Sequence, residues 1–320
     1  MSIIEEASKR LQQLGNAGIQ APGKPEGAGG GKNAVRASRD PVPEQVSRLA
    51  QARQRAASSS RGELARAEPS LSDGATADAN FRQLDFGRLQ MNGVITPTLP
   101  DSQLLHEFRV VKRPLIQNAL GKSASPVANG NLIMVTSALP GEGKTFVSLN
   151  LAMSIAMEVD RTVLLVDADV VAPSVPRILG IQAAKGLMDV LTAPDLDLGD
   201  VLLKTNVERL SLLLAGTKHR RASELLASDA MVSLLNEVAN RYPDRIVVFD
   251  SPPLLATTES RVLASHMGQV VVVVEAERTT HGALETALAT VESCPVVMTM
   301  LNKASASDVG SYYGYYGYGH

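Results

Sequence analysis

The segment Ser137-Ala138-Leu139-Pro140-Gly141-Glu142-Gly143-Lys144-Thr145 carries the residue types needed to hold a phosphate chain. It follows the pattern G-x-x-x-x-G-K-[ST], with Ala138 in place of the first glycine. Gly141 and Gly143 let backbone N–H groups converge on phosphate oxygens with no Cβ in the way. A helix starting near Lys144 adds its positive N-terminal end. In such a loop Lys144 reaches the β- and γ-phosphates and Thr145 places its hydroxyl on Mg²⁺. The nucleotide-contacting set is Pro140, Gly141, Glu142, Gly143, Lys144, Thr145 and Phe146.

Two apolar runs end in carboxylates: Leu164-Leu-Val-Asp167-Ala-Asp169 and Ile246-Val-Val-Phe-Asp250. In a parallel sheet such strand ends emerge at the carboxyl edge, beside the phosphate loop. A hard Mg²⁺ ion takes carboxylates together with a hydroxyl and phosphate oxygens. Asp167, Asp169 and Asp250 are thus the acidic candidates, with helix capping the plainer role for an aspartate at such a site. Asn302 follows the last apolar run. In related P-loop folds an asparagine there reads the adenine edge, and a polar turn residue is the competing reading. ATP and Mg²⁺ are the implied cofactors.

A third chemical feature closes the chain. Tyr312, Tyr313, Tyr315, Tyr316 and Tyr318 lie among the last nine residues, separated by glycines, and the sixth tyrosine is Tyr242. A mobile segment of this kind can be threaded into a kinase pocket, so its phenols read as phosphate acceptors. A sticky low-complexity tail, or one that stacks on a partner, is the alternative.

The elements that must position these groups follow from apolar patterning. Candidate strands are Leu132–Ser137, Thr162–Asp167, Leu210–Leu214, Arg245–Asp250, Gln269–Val274 and Val296–Leu301. They alternate with helix-length amphipathic segments, which predicts a doubly wound, mainly parallel α/β sheet covered on both faces. A helix is expected near 102–119 and another over Phe146–Met157, directly after the loop. Upstream, 35 of the 65 residues from Gly15 to Ala79 are Gly, Ala, Ser or Pro, so that stretch cannot bury enough apolar surface to fold. The expected organisation is a short amphipathic helix over 1–14, a flexible linker over 15–100, a catalytic domain over 101–310 and a tyrosine tail over 311–320.

Composition removes other classes. Over 320 residues the net charge is −2, which argues against a protein that coats nucleic acid. A single cysteine, Cys294, leaves no disulfide framework and no multi-cysteine metal site; a small buried side chain is its simplest role. No apolar run is long enough for a membrane span, and the first residues lack the pattern of a secretory signal. The expected compartment is the cytoplasm.

Taken together, Pro140-Gly-Glu-Gly-Lys-Thr145, Val166-Asp-Ala-Asp169, Val248-Phe-Asp-Ser-Pro-Pro253 and the tyrosine cluster resemble the bacterial P-loop tyrosine kinases. Within that group the chain looks like the stand-alone autokinases associated with exosortase systems, including at Met1-Ser-Ile-Ile-Glu and Glu107-Phe-Arg-Val-Val-Lys-Arg-Pro-Leu115. The resemblance implies a P-loop NTPase fold of the MinD/ParA type and autophosphorylation in trans that regulates exopolysaccharide polymerisation or export. It makes Lys144, Asp167 and Asp169 catalytic, and Thr145, Asp169 and Asp250 the metal-organising groups. Asp167 would lie nearest the tyrosine hydroxyl, although the sequence leaves the proton acceptor open between Asp167 and Asp169. It also implies a membrane polysaccharide chain-length regulator as activator, a phosphotyrosine phosphatase, and a peripheral position at the inner membrane through that partner.

The family carries an E-x-x-R-x-x-R helix for ring assembly. Here Arg109 aligns with it, His106 occupies the acidic position, Glu107 is one place along, and Lys112 stands at the second arginine. The expected self-association surface is Glu107, Arg109, Lys112 and Arg113. The alternative function is a partitioning or positioning ATPase of the MinD/ParA type. Those proteins have a signature lysine five residues before the P-loop lysine, where this chain has Leu139. The basic run Lys218-His-Arg-Arg221 either guides an anionic tail or is a solvated loop.

Overall fold

The computed structural model describes residues 79–123, 125–241 and 244–305. The expected helix over 1–14, the linker before residue 79 and the tyrosines of the tail lie outside the described residues.

The first described elements are β1 (Phe81–Arg82), α1 (Phe86–Met91) and α2 (Gln103–Ala119). Next come β2 (Leu132–Ser137), α3 (Lys144–Ala156), β3 (Thr162–Asp167), α4 (Val175–Leu179), α5 (Leu187–Thr192) and α6 (Leu198–Val201). The chain continues through β4 (Leu203–Thr205), β5 (Leu210–Leu213), α7 (Ala222–Leu226), α8 (Asp229–Arg241) and β6 (Arg245–Asp250). It then runs through α9 (Glu259–Ala264), β7 (Gln269–Glu275), α10 (His281–Ala289) and β8 (Val296–Asn302).

The strands form one sheet in the order β1-β4-β5-β3-β6-β2-β7-β8. Every pair is parallel except β4 with β5. This is the mainly parallel, doubly wound sheet that the apolar runs predict. Alternate residues of each central strand feed opposite faces. Leu132 and Met134 join one core with α5 to α10, while Ile133 and Val135 join the other with α1 to α4. Because both faces are covered, β2 is buried along its whole length. The carboxyl edge of the sheet is therefore held by strands packed on both faces.

The linker expected over 15–100 needs correction at its end. Residues 79–100 belong to the folded domain, which begins by residue 79 rather than 101. Leu84, Leu89, Val94 and Ile95 are buried in the α3-side core. Their backbone is satisfied by side chains far along the sequence: Leu84 N–H donates to Asn206 Oδ1 at 2.8 Å and Ile95 N–H to Asn150 Oδ1 at 2.7 Å. Asp85 caps α1 by accepting from Arg88 N–H at 3.1 Å.

A second correction concerns Lys112. It was expected on the self-association surface, yet it is buried on the inner face of α2 with Leu105, Phe108 and Leu115. Its ammonium donates to the Ser154 carbonyl at 2.7 Å and pairs with Glu158 at 2.6 Å. It therefore holds α2 onto the C-terminal end of α3. Arg109 and Arg113 remain exposed, Arg109 pairs with Asp101 at 3.3 Å, and half-buried Glu107 accepts from Gln103 at 2.8 Å. Lys112→Met keeps the aliphatic stem but removes the charged donor, and is expected to cost about 1–3 kcal/mol. A lower Tm with unchanged oligomeric state by light scattering would be the result.

Candidate active site

β2 delivers the phosphate loop to the carboxyl edge of the sheet, and α3 starts at Lys144 with Gly143 as its cap. Gly141 and Gly143 adopt φ of 87° and 98°, the left-handed region that only glycine enters without strain. The loop is tied down from several sides. The carboxylate of Glu142, 2% exposed, accepts from Leu139 N–H at 2.7 Å and from the Thr279 hydroxyl. Asn302 Nδ2 donates to the Glu142 carbonyl at 2.9 Å, and Lys303 Nζ to the Gly141 carbonyl at 2.8 Å. Lys303 also pairs with Glu275 at 3.0 Å and holds that carboxyl below its ordinary range. The end of β8 thus clamps the loop by two of its carbonyls.

That packing makes Gly143 intolerant of a side chain. An added Cβ would lie 2.1 Å from Asn302 Nδ2, at a φ that disfavours any L-residue. Gly143→Ala is expected to lower nucleotide affinity measurably by titration calorimetry, because either the helix start or the Asn302 clamp must move.

Three carboxylates face the loop. Lys144 Nζ donates to Asp169 Oδ2 at 2.8 Å, and Asp169 Oδ1 accepts from Ala172 N–H at 3.0 Å. Asp167 and Asp250 are register partners on adjacent strands β3 and β6, both fully buried. Asp167 Oδ2 accepts from Val175 N–H at 3.3 Å, and Asp250 Oδ1 from the Ser148 hydroxyl at 3.1 Å. The remaining oxygens, Asp167 Oδ1 and Asp250 Oδ2, are buried with no hydrogen-bond partner. Burial, reinforced by the Asp250 charge, pushes the Asp167 carboxyl up to about 8. Burial also raises Asp250, to about 6, against the opposing charge of Lys144.

Buried carboxylates with unpartnered oxygens, in an all-oxygen set that includes a hydroxyl, suit a hard cation such as Mg²⁺. Thr145 Oγ1 lies 3.0 Å from Ser174 Oγ at the same edge. The residues present therefore fit a magnesium nucleotide: Thr145, Asp169 and Asp250 would hold the metal, and the loop the phosphates. Bound there, the ion supplies neutralisation of phosphate charge.

Residues 130–303 match the family described as AAA domain. Tyrosine-protein kinase YwqD of Bacillus subtilis is 31% identical over 233 residues, covering 72% of this chain and 93% of that protein. The chain belongs to the bacterial P-loop tyrosine kinases. Tyrosine-protein kinase wzc of Salmonella typhimurium is 30% identical over 194 residues, covering 60% of this chain and 26% of wzc. The chain spans about a quarter to a third of the length of such longer relatives. Among solved structures, the chimerical protein CapA2B2 matches with TM-score 0.55 and 25% identity, covering 69% of this chain and 92% of that one. The VpsO kinase domain matches with TM-score 0.50 and 27% identity, covering 62% and 99%.

Within this member of the family the sequence-selected groups fall into two sets. Lys144, Thr145, Asp167, Asp169 and Asp250 converge at the sheet edge, with Pro140 and Gly141 exposed at the loop tip. Glu142 and Asn302 reach the loop too, but the Glu142 carboxylate and the Asn302 amide nitrogen brace it from within. Phe146 turns away towards Gly93, where an added Cβ would sit 3.2 Å from its ring. Sequence reading missed Ser148 and Ser174. Ser148 had a signal, standing one helical turn after Lys144; Ser174 comes from the loop after β3 and had none. The run Lys218 to Arg221 is an exposed loop, and Cys294 is a buried side chain whose thiol burial pushes up.

Proposed function

We propose that this kinase transfers phosphate from magnesium ATP to Tyr312, Tyr313, Tyr315, Tyr316 and Tyr318 of another copy of the chain, and so regulates exopolysaccharide polymerisation or export. The observation that carries the reading is the juxtaposition of Lys144 and Asp169 at 2.8 Å with the buried, cation-seeking pair Asp167 and Asp250. Phosphoryl transfer asks a protein mainly for positioning and charge neutralisation. In this reading Lys144 binds the transferred phosphate, and Asp167 orients the incoming phenol and accepts its proton. The raised proton affinity of Asp167 suits that role, since a base is most effective when its pKa approaches the working pH.

Self-association through the exposed Arg109 and Arg113 of α2 would bring one tail to the next active site. Among the described residues no helix is long and apolar enough to cross a membrane. By likeness to the family, the proposal includes a membrane chain-length regulator as activator, which would hold the kinase at the inner membrane, and a phosphotyrosine phosphatase to reset it. Mixing a chain ending at Gly310 with a full-length Lys144→Met chain and magnesium ATP tests transfer in trans. Intact mass should show phosphate on the full-length partner only. Labelling of the truncated chain would place the acceptors elsewhere. ATP hydrolysis with no phosphotyrosine would favour the partitioning-ATPase reading.

A further inference from the structure

A cleft of about 360 Å³ opens beside the active edge, between α1, the start of α3 and α4. Its walls are mainly apolar, formed by Val94, Leu149, Ile178 and the half-buried ring of Phe146, with the amide of Asn92 at the side, where it donates to the Arg88 carbonyl. Its cations are Arg88 and Arg177, both exposed. Arg88 is set in place: its Nη2 donates to the Arg177 carbonyl at 3.2 Å. It also lies across Gly180, where an added Cβ would meet Nη1 at 2.4 Å. No carboxylate among the described residues pairs with either guanidinium.

We propose that this cleft binds a phosphotyrosine side chain of a tail already modified. The inference rests on the tail-kinase reading given above. An aromatic floor with aliphatic walls accepts a phenyl ring, and two guanidinium forks match a phosphate dianion in geometry and charge. Free phosphate would leave the apolar walls unfilled. Phosphoserine would carry its charge too close to its own backbone to use ring wall and arginines together. The position suits a product site. Phe146 adjoins Thr145, and Arg177 lies three residues beyond Ser174, whose hydroxyl is 3.0 Å from that of Thr145. The tail offers phenols at short, glycine-separated intervals, so one modified tyrosine held here leaves further phenols within a few residues of it.

The test is fluorescence anisotropy of two labelled synthetic peptides of residues 311–320, one phosphorylated at Tyr315 and one not. They are titrated with full-length, dephosphorylated protein in the absence of ATP. The phosphopeptide should bind and the plain peptide should not, and inorganic phosphate should compete poorly. Arg88→Ala and Arg177→Ala should each weaken binding about tenfold or more, the loss of a charge-assisted contact. Both residues are exposed, and circular dichroism should show unchanged melting. Equal affinity for the two peptides would overturn the proposal. So would binding that is indifferent to both arginines but lost in Lys218→Ala or Arg220→Ala, or displacement of the phosphopeptide by ADP. The readout needs no catalysis, so a protein that binds the phosphopeptide without labelling its own tail would sink only the autokinase reading. The converse result would sink only this one.

Discussion

Replacing Lys144 with methionine is expected to reduce tyrosine phosphorylation by about 10²–10³-fold or more, the cost of deleting one preorganised charge at a phosphoryl-transfer site. Two losses combine. The ammonium that would meet the transferred phosphate disappears, and so does the charge that opposes the upward shift of the buried Asp250 carboxyl. Asp250 would then hold its proton to higher pH and compete less well for a metal. Asp169, almost fully buried, would keep only its backbone partner Ala172. Radiolabel incorporation measures the first loss, and magnesium-dependent nucleotide titration measures the second. Unchanged far-UV circular dichroism confirms that the fold survives, although a lower Tm is expected from the orphaned Asp169. Retention of more than a tenth of the wild-type rate would remove Lys144 from the transfer chemistry.

The parts of this site legible in the sequence are those where chemistry restricts residue type at fixed spacing. The loop from Pro140 to Thr145 and the aspartates closing β3 and β6 stood out because they sit at the ends of uninterrupted apolar strands. Those strands are apolar throughout because helices cover both faces. Illegible features depend on partners distant in sequence. The folding of residues 79–100 rests on Asn150 and Asn206, which stand 55 and 122 residues from the backbone groups they satisfy. Their apolar residues Leu84, Leu89, Val94 and Ile95 follow no single period, so the segment merged with the linker. Lys112 is different, for its position was readable. Leu105, Phe108, Lys112 and Leu115 lie at helical spacing on one stripe, which places the lysine inward despite its charge. Glu142 was read as a ligand contact because of its place in the motif, whereas its carboxylate is the loop's internal brace.

Asp167→Asn is expected to act in opposite directions on activity and on stability. Its carboxyl is raised to about 8, by burial first and then by the charge of Asp250. In the unfolded chain an aspartate titrates near its ordinary value of about 4. Between those pH values the folded protein keeps a proton that the unfolded chain has released, so stability falls as pH rises from about 4 to about 8. Asparagine keeps the shape and has no charge to bury. With metal chelated, the variant and wild type should melt together near pH 4, and the variant should be the more stable at pH 8. A gain of about 2 kcal/mol would raise Tm by roughly 4–8 °C in a domain of this size. The same substitution removes the proposed acceptor of the tyrosine proton, and kcat should fall by about 10²–10⁴-fold with little change in KM for ATP. Matching melting curves at pH 8 would mean that the Asp167 carboxyl is not held protonated in the folded protein. An unchanged kcat would instead transfer the proton-accepting role to Asp169, whose carboxylate pairs with Lys144 at 2.8 Å. The opposed signs follow from one cause: a carboxylate buried beside another stabilises the fold least under the conditions in which it serves best as a base.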